Sequence, residues 1–163
     1  MANALDLMDS VEDILKCLSA EERQHMLRVG VLVSGFAKRI QAGGLYDGRA
    51  EPLWYFGEAA YYHDIGKAWI SPAILAKPGK LTQTEMQEIR NHTLHAKRLF
   101  KKAGREGVSG ISASLLCLEA DAAVYHHEWW NGGGYPYGMK REEIPLIARI
   151  TSICDAFDAI TSN

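Results

Sequence analysis

His63 and Asp64 stand side by side at the end of an apolar run, with Gly66 and Lys67 just behind them. An imidazole nitrogen next to a carboxylate can hold a metal ion, and the lysine offers a cation for a phosphate. Alone the doublet says little, because adjacent His and Asp occur by chance in many proteins. Its company changes its standing. Glu21 and His25 are four apart, so on a helix they share a face and can reach one ion. His126 and His127 form a second tandem pair, and Asp155 projects from the last apolar segment. For any single buried histidine, one satisfied hydrogen bond is the ordinary role. The mixture of imidazole and carboxylate suits iron, manganese, zinc or nickel, whereas magnesium or calcium favours oxygen ligands alone. The joint pattern points to a transition-metal cluster, with Asp64 as the bridging carboxylate.

Helices must bring these residues together. Leu5, Met8, Val11, Ile14, Leu15 and Leu18 recur at helical spacing, and Ser19 with Glu22 forms a capping-box pattern that opens a second helix. That helix runs from about Ala20 to Gln41 with Met26, Val29, Val33, Phe36, Ala37 and Ile40 inward, and Gly43-Gly44 ends it. After a loop over 45–52, a third helix is predicted from about Leu53 through the doublet to Gly66. Pro72, Pro78 and Gly79 leave room for one helical turn at Ala73-Ile74-Leu75. Thr82 with Glu85 opens a helix predicted to reach about Gly104, carrying His92 and His95. A glycine-bearing turn over 104–110 leads to an apolar run to His127. Residues 129–137 include three consecutive glycines and cannot be regular. In the last segment Ile147, Ile150, Ile153, Cys154, Phe157 and Ile160 recur at helical spacing. No alternating strand pattern occurs, so the fold class is all-α: a single bundle-like domain of about seven helices.

Composition narrows the function. The 163 residues suit one domain. At 47% hydrophobic and 23% charged they describe a folded chain, and a net charge of −2 provides no footprint for duplex nucleic acid. Phosphates should therefore be met locally. No stretch has the roughly 20 apolar residues of a membrane span, and acidic Asp6, Asp9, Glu12 and Asp13 do not suit a signal peptide, so a cytoplasmic location is expected. Cys17, Cys117 and Cys154 are far apart among apolar neighbours and read as buried thiols.

The ordered set His63-Asp64-Ile65-Gly66-Lys67, His126-His127-Glu128, Gly134-Tyr135-Pro136 and Ala148-Arg149-Ile150 leading to Asp155-Ala156-Phe157-Asp158-Ala159 resembles the HD-GYP domain, a branch of the HD phosphohydrolase superfamily. The similarity spans about Glu21 to Ser162. It implies an all-helical, metal-dependent phosphodiesterase that opens the bacterial second messenger cyclic di-GMP to pGpG, and in some members onward to GMP. The resemblance also implies two or three transition-metal ions, most often iron. Their ligands would be His63, Asp64, His92, His126, His127 and Asp155, with Glu21 and His25 completing a third site. His95 matches no family ligand. The Gly134-Tyr135-Pro136 loop would shape the substrate site and contact GGDEF-domain proteins. A homodimer is compatible with the sequence.

The chemistry expected of such a site follows from the phosphodiester, which is anionic and resists hydroxide. Water bridging two metals about 3.5–4 Å apart is deprotonated near neutral pH, and the same ions polarise the phosphate oxygens. Lys67 would balance the charge that builds on the phosphate, its alternative being an exposed helix end. Arg149 could pair with a carboxylate near the metals or stabilise the loop. Trp129 and Trp130 could stack on guanine or pack the loop, and packing is expected of at least one. Residues 1–18 are expected to form an N-terminal helix and 19–163 the HD-GYP domain. Past Thr161-Ser162-Asn163 the family continues with an arginine-containing segment and further helices, which this chain lacks. Two other readings stay open: a phosphohydrolase for another cyclic dinucleotide or nucleotide, and a catalytically silent module that binds cyclic di-GMP or a GGDEF protein.

Overall fold

A computed structural model describes residues 11–46, 52–107 and 112–162. Among them there are helices and one isolated bridge, Asn131 to Lys140, and no strand. The helices are α1 (Val11–Lys16), α2 (Ala20–Ala42), α3 (Phe56–Tyr61), the single turn α4 (Pro72–Leu75), α5 (Gln83–Arg90), α6 (His92–Glu106), α7 (Ala113–Tyr125) and α8 (Leu146–Thr161). Short 3-10 turns at Leu53–Tyr55, Ile65–Trp69 and Arg141–Glu143 link them. The all-α class is the one expected, with seven helices of six residues or more and the one-turn α4 where Pro72 allows it. Leu5 and Met8 of the expected N-terminal helix lie outside the described residues.

Local chemistry explains the starts. The Ser19 hydroxyl accepts from the Glu22 N–H at 3.1 Å while the Glu22 carboxylate accepts from the Ser19 N–H at 2.9 Å. Thr82 and Glu85 repeat the exchange at the head of α5, and Lys77 adds an ion pair to Glu85 at 2.7 Å. Each cap satisfies N–H groups that a helix start leaves without partners, worth about 1 kcal/mol.

Two apolar clusters fill the interior. Val29, Val33, Phe56, Ala59, Leu118, Ala122, Ile147 and Ile150 join α2, α3, α7 and α8. Ile14, Met26, Ile65, Ala96, Phe100 and Ala123 join α1, α2, the 65–69 turn, α6 and α7. The imidazoles and carboxylates sit among these helices.

Four expectations need correction. The helix expected over 82–104 is two, because Asn91 caps α5 and the His92 ring Nδ1 takes the Ile89 carbonyl at 2.7 Å, where a continuous helix would use a main-chain donor. The helix expected from Leu53 to Gly66 ends at Tyr61, and the doublet lies in a turn tightened by His63 N–H to Ala60 O (3.1 Å) and Ile65 N–H to Tyr62 O (3.1 Å). Phe36, Ile153, Phe157 and Ile160 belong to the expected apolar faces yet are exposed, since no described element covers their sides of α2 and α8. Of the three thiols only Cys154 is buried; Cys17 and Cys117 face outward.

One buried carboxyl makes stability depend on pH. Glu119 in α7 is 2% exposed, and burial, with Glu58 adding repulsion, pushes its carboxyl up to about 7. The unfolded carboxyl titrates near about 4.3. Between those values the native state keeps a proton that the unfolded state releases, so stability falls as pH rises through the window. The expected loss from pH 5 to pH 8 is roughly 2 kcal/mol, read by urea unfolding. Glu119→Gln should abolish most of that difference; a variant that keeps the full pH dependence assigns it to another group.

Candidate metal centre

The donors come from five places in the chain. His25 lies in α2, His63-Asp64 in the turn after α3, His92 at the first position of α6, His126-His127 just past α7, and Asp155 in α8. Seven of the eight expected ligands fall into three groups whose donor atoms lie within 4.8 Å of one another: Asp64 with His92, His126 and His127; His25 with His63 and Asp64; and His63 with His126 and Asp155. His63, Asp64 and His126 each belong to two groups. Glu21 joins none of them and stands exposed beside a cavity of about 700 Å³ that His25, Lys67 and Asp155 also line.

Backbone carbonyls fix the histidine tautomers. The Nδ1 atoms of His63, His92 and His126 lie 2.9, 2.7 and 3.0 Å from the oxygens of Ala60, Ile89 and Ala122. A carbonyl only accepts, so each Nδ1 carries a proton and each ring turns its Nε2 inward; on His92 and His126, which burial keeps neutral, that atom presents a lone pair. His92 Nε2 and His126 Nε2 then face each other at 3.4 Å, and both approach Asp64 Oδ1, at 3.5 and 3.8 Å. Acceptors cannot bond one another. His63 Nε2 and Asp64 Oδ1 have no hydrogen-bond partner although both are buried. Such a set is uncompensated without a cation, and nitrogen and oxygen donors in this mixture fit a transition metal.

The titrations agree with that need. Burial, with His127 next to it, holds His126 well below its usual range; burial and His92 bring His127 down to about 4, and burial lowers His92. These three rings are neutral at physiological pH. Burial also opposes charge on His63, yet Asp64 and Asp155 outweigh it and push the ring up to about 10, so a proton takes the place of a cation there. Burial works against the Asp64 carboxylate, but Lys67 and His63 hold it well below the usual range. Asp155 is likewise held low by the His25 and His63 rings beside it, against its burial.

The remaining expected residues are placed as follows. Lys67 donates to Asp64 Oδ2 at 2.6 Å, so its ammonium is engaged by the doublet itself. His95 lies outside the groups and stacks on Trp69, with centroids 5.8 Å apart. Tyr135 stacks on His127 at 4.7 Å, and the Arg90 guanidinium sits 5.1 Å from the same tyrosine ring. Gly134 packs its α-carbon against the main chain of His127, Glu128 and Trp129, where a side chain would collide. Pro136 follows, and the loop closes through the bridge at Lys140. Arg149 pairs with no carboxylate there; its guanidinium lies 5.8 Å from the Trp130 ring, the loop-stabilising alternative. Trp129 and Trp130 are 56% and 53% exposed, against the expectation that at least one is packed away.

Three contributors were not assigned a role from the sequence. Buried Glu128 accepts from the Tyr137 and Met139 N–H groups at 2.7 and 2.9 Å, pinning the glycine loop beside His127. Asp158 and Arg28 stand behind His25. Asp158 could have been suspected from its i, i+3 spacing to Asp155, which puts both carboxylates on one face of α8.

Gly66 sets the distance between the doublet and α6. A Cβ there would run into the His92 carbonyl, so only glycine lets the turn press against the first residue of α6. Gly66→Ala is expected to cost at least about 1–3 kcal/mol, measured by urea unfolding. Gly104→Ala, whose nearest new contact is Leu116 at 3.6 Å, should cost nothing or stabilise. Equal stability of the Gly66 variant and the parent would mean that the approach is not tight.

Comparison with known proteins places the chain. The HD domain family model matches residues 16–163. A Vibrio cholerae protein described as a "Probable cyclic di-GMP phosphodiesterase" is 41% identical over 86% of this chain and 32% of its own length. A Thermotoga maritima cyclic di-GMP phosphodiesterase is 35% identical over 96% of this chain and 40% of its own. A 3'3'-cGAMP-specific phosphodiesterase of Vibrio cholerae is 30% identical over 95% of this chain and 27% of its own. The chain thus spans two fifths or less of the length of these relatives. With a family model covering nearly all of it, from the first helix to the end of α8 and including every histidine of the centre, the chain belongs to the HD domain family.

Proposed function

We propose that this chain is a metal-dependent phosphodiesterase that opens cyclic di-GMP to pGpG, and onward to GMP if the linear product rebinds. The observation that carries the reading is the inward convergence of the His92 and His126 Nε2 lone pairs on Asp64 Oδ1, next to unpartnered His63 Nε2. His63, Asp64, His92, His126, His127 and Asp155 would hold two transition-metal ions, with His25 and rim residue Glu21 available for a third. Iron is favoured by the family resemblance, with manganese, zinc or nickel as alternatives. When bound, the ions supply an acidified water as nucleophile and neutralise the phosphodiester charge.

The chain's own residues do the rest. Asp64 shares its two oxygens between the His92 and His126 side and the His25 and His63 side, the arrangement of a bridging ligand. The Lys67 ammonium lines the cavity next to Asp64, where it would face an anionic phosphate. Glu128 and Gly134 hold Tyr135 against His127, placing an aromatic ring beside the donors of that group. The exposed Trp129, Trp130 and Tyr137 leave that loop an outward aromatic face, available to a GGDEF-domain protein. Similarity to a relative named for 3'3'-cGAMP supports a second reading in which that dinucleotide is the substrate.

Metal analysis of anaerobically purified protein, joined to product assays on cyclic di-GMP and 3'3'-cGAMP, tests the proposal. Wild type should carry transition metal and release pGpG, and Asp64→Ala should lose metal and lower turnover by more than roughly 100-fold, the upper range for losing a mere outer-shell partner. Protein without transition metal, or full turnover in Asp64→Ala, refutes the mechanism. Faster opening of 3'3'-cGAMP refutes only the choice of substrate.

A further inference from the structure

His25 is held differently from its neighbours. His63, His92 and His126 direct their Nδ1 protons to main-chain carbonyls, which no side-chain substitution removes. His25 Nδ1 instead lies 2.7 Å from Asp158 Oδ2. A carboxylate only accepts, so Nδ1 carries the proton and Nε2 is turned to Asp155 Oδ1 at 3.0 Å and Asp64 Oδ2 at 3.7 Å. Asp158 is itself fixed. It is 3% exposed, takes a two-point grip from Arg28 (Nε to Oδ1 2.8 Å, Nη2 to Oδ2 2.9 Å) and accepts from the Ser162 hydroxyl at 3.0 Å. Arg28 and His25 are three apart on α2, and Asp155 and Asp158 are three apart on α8, so the two helices place one carboxylate on each side of the same ring.

We propose that Asp158, clamped by Arg28, is the positioning residue that aligns His25 and thereby sets the affinity of the His25, His63 and Asp64 position more strongly than that of the other two. The inference rests on the metal reading above. A carboxylate behind an imidazole fixes its tautomer and raises its basicity more than a neutral carbonyl does, and such partners are worth about 10–100-fold in metal affinity. Where His63, His92 and His126 have a neutral carbonyl behind the ring, His25 has this charged support.

The test is equilibrium dialysis of the full chain against graded free Mn²⁺, with bound metal counted by mass spectrometry and folding followed by thermal unfolding. His25→Ala should lose one ion. Asp158→Asn should weaken one ion by about 10–100-fold and the others clearly less, and in the His25→Ala background it should change nothing further. Arg28→Met, which keeps the carboxylate but loosens it, should weaken the same ion less, and it carries the comparison if Asp158→Asn does not fold. Wild-type binding in Asp158→Asn, or equal weakening of every ion, would make the clamp a plain tether between α2 and α8 and overturn the inference. So would an unchanged count in His25→Ala. Wild type that binds no ion overturns the metal reading, and this inference falls with it.

Discussion

Converging lone pairs are the constraint on which the centre depends. Imidazoles packed in an apolar interior normally relieve each other by pairing a donor with an acceptor. Here main-chain carbonyls take the Nδ1 protons of His63, His92 and His126 on the outer side, and the Nε2 lone pairs of neutral His92 and His126 are left facing inward toward Asp64. Burial prevents the rings from relieving this by protonation at His126 and His127. The fold therefore carries an electrostatic demand in its middle that its own side chains meet only in part, through Lys67 and a proton on His63.

The helix ends create this demand. Nδ1 of a histidine reaches a carbonyl three or four residues back when its ring lies along the helix, and His63, His92 and His126 all stand at or just past the end of a helix or at the start of the next. The same bond at Ile89 separates α5 from α6. A break in a helix and a metal-ready nitrogen are thus one event. Beyond α7, the Glu128 carboxylate does for the loop what hydrogen bonds to Asp158 do for His25: it fixes a mobile element from behind with charge-assisted bonds, each stronger than a neutral one.

What could be read from the sequence was what depends on near neighbours. Ser19 with Glu22 and Thr82 with Glu85 fix two helix starts within four residues, and Pro72 permits the single turn that follows it. The meeting of His25, His63 and Asp155 was visible only as a residue type repeated on separate apolar helices and as a family resemblance. Periodicity marks Ile153, Phe157 and Ile160 as one stripe, yet a stripe does not name what covers it, and these three are exposed. Asp158 escaped notice because its role is made by residues 130 and 133 positions away. Lys67 was assigned to a phosphate by its place after the doublet, whereas its bond to Asp64 follows from a three-residue return that a tight 3-10 turn makes short.

Sharing of donors has a consequence for how the centre fills. His63, Asp64 and His126 each serve two groups, so an ion entering one position withdraws lone-pair density from the next and at the same time freezes the rings that the next needs. The first effect opposes a second arrival and the second favours it. Carbonyls already hold three of the rings from behind, so on the metal reading proposed above the shared donors would make each position depend on whether its neighbour is filled.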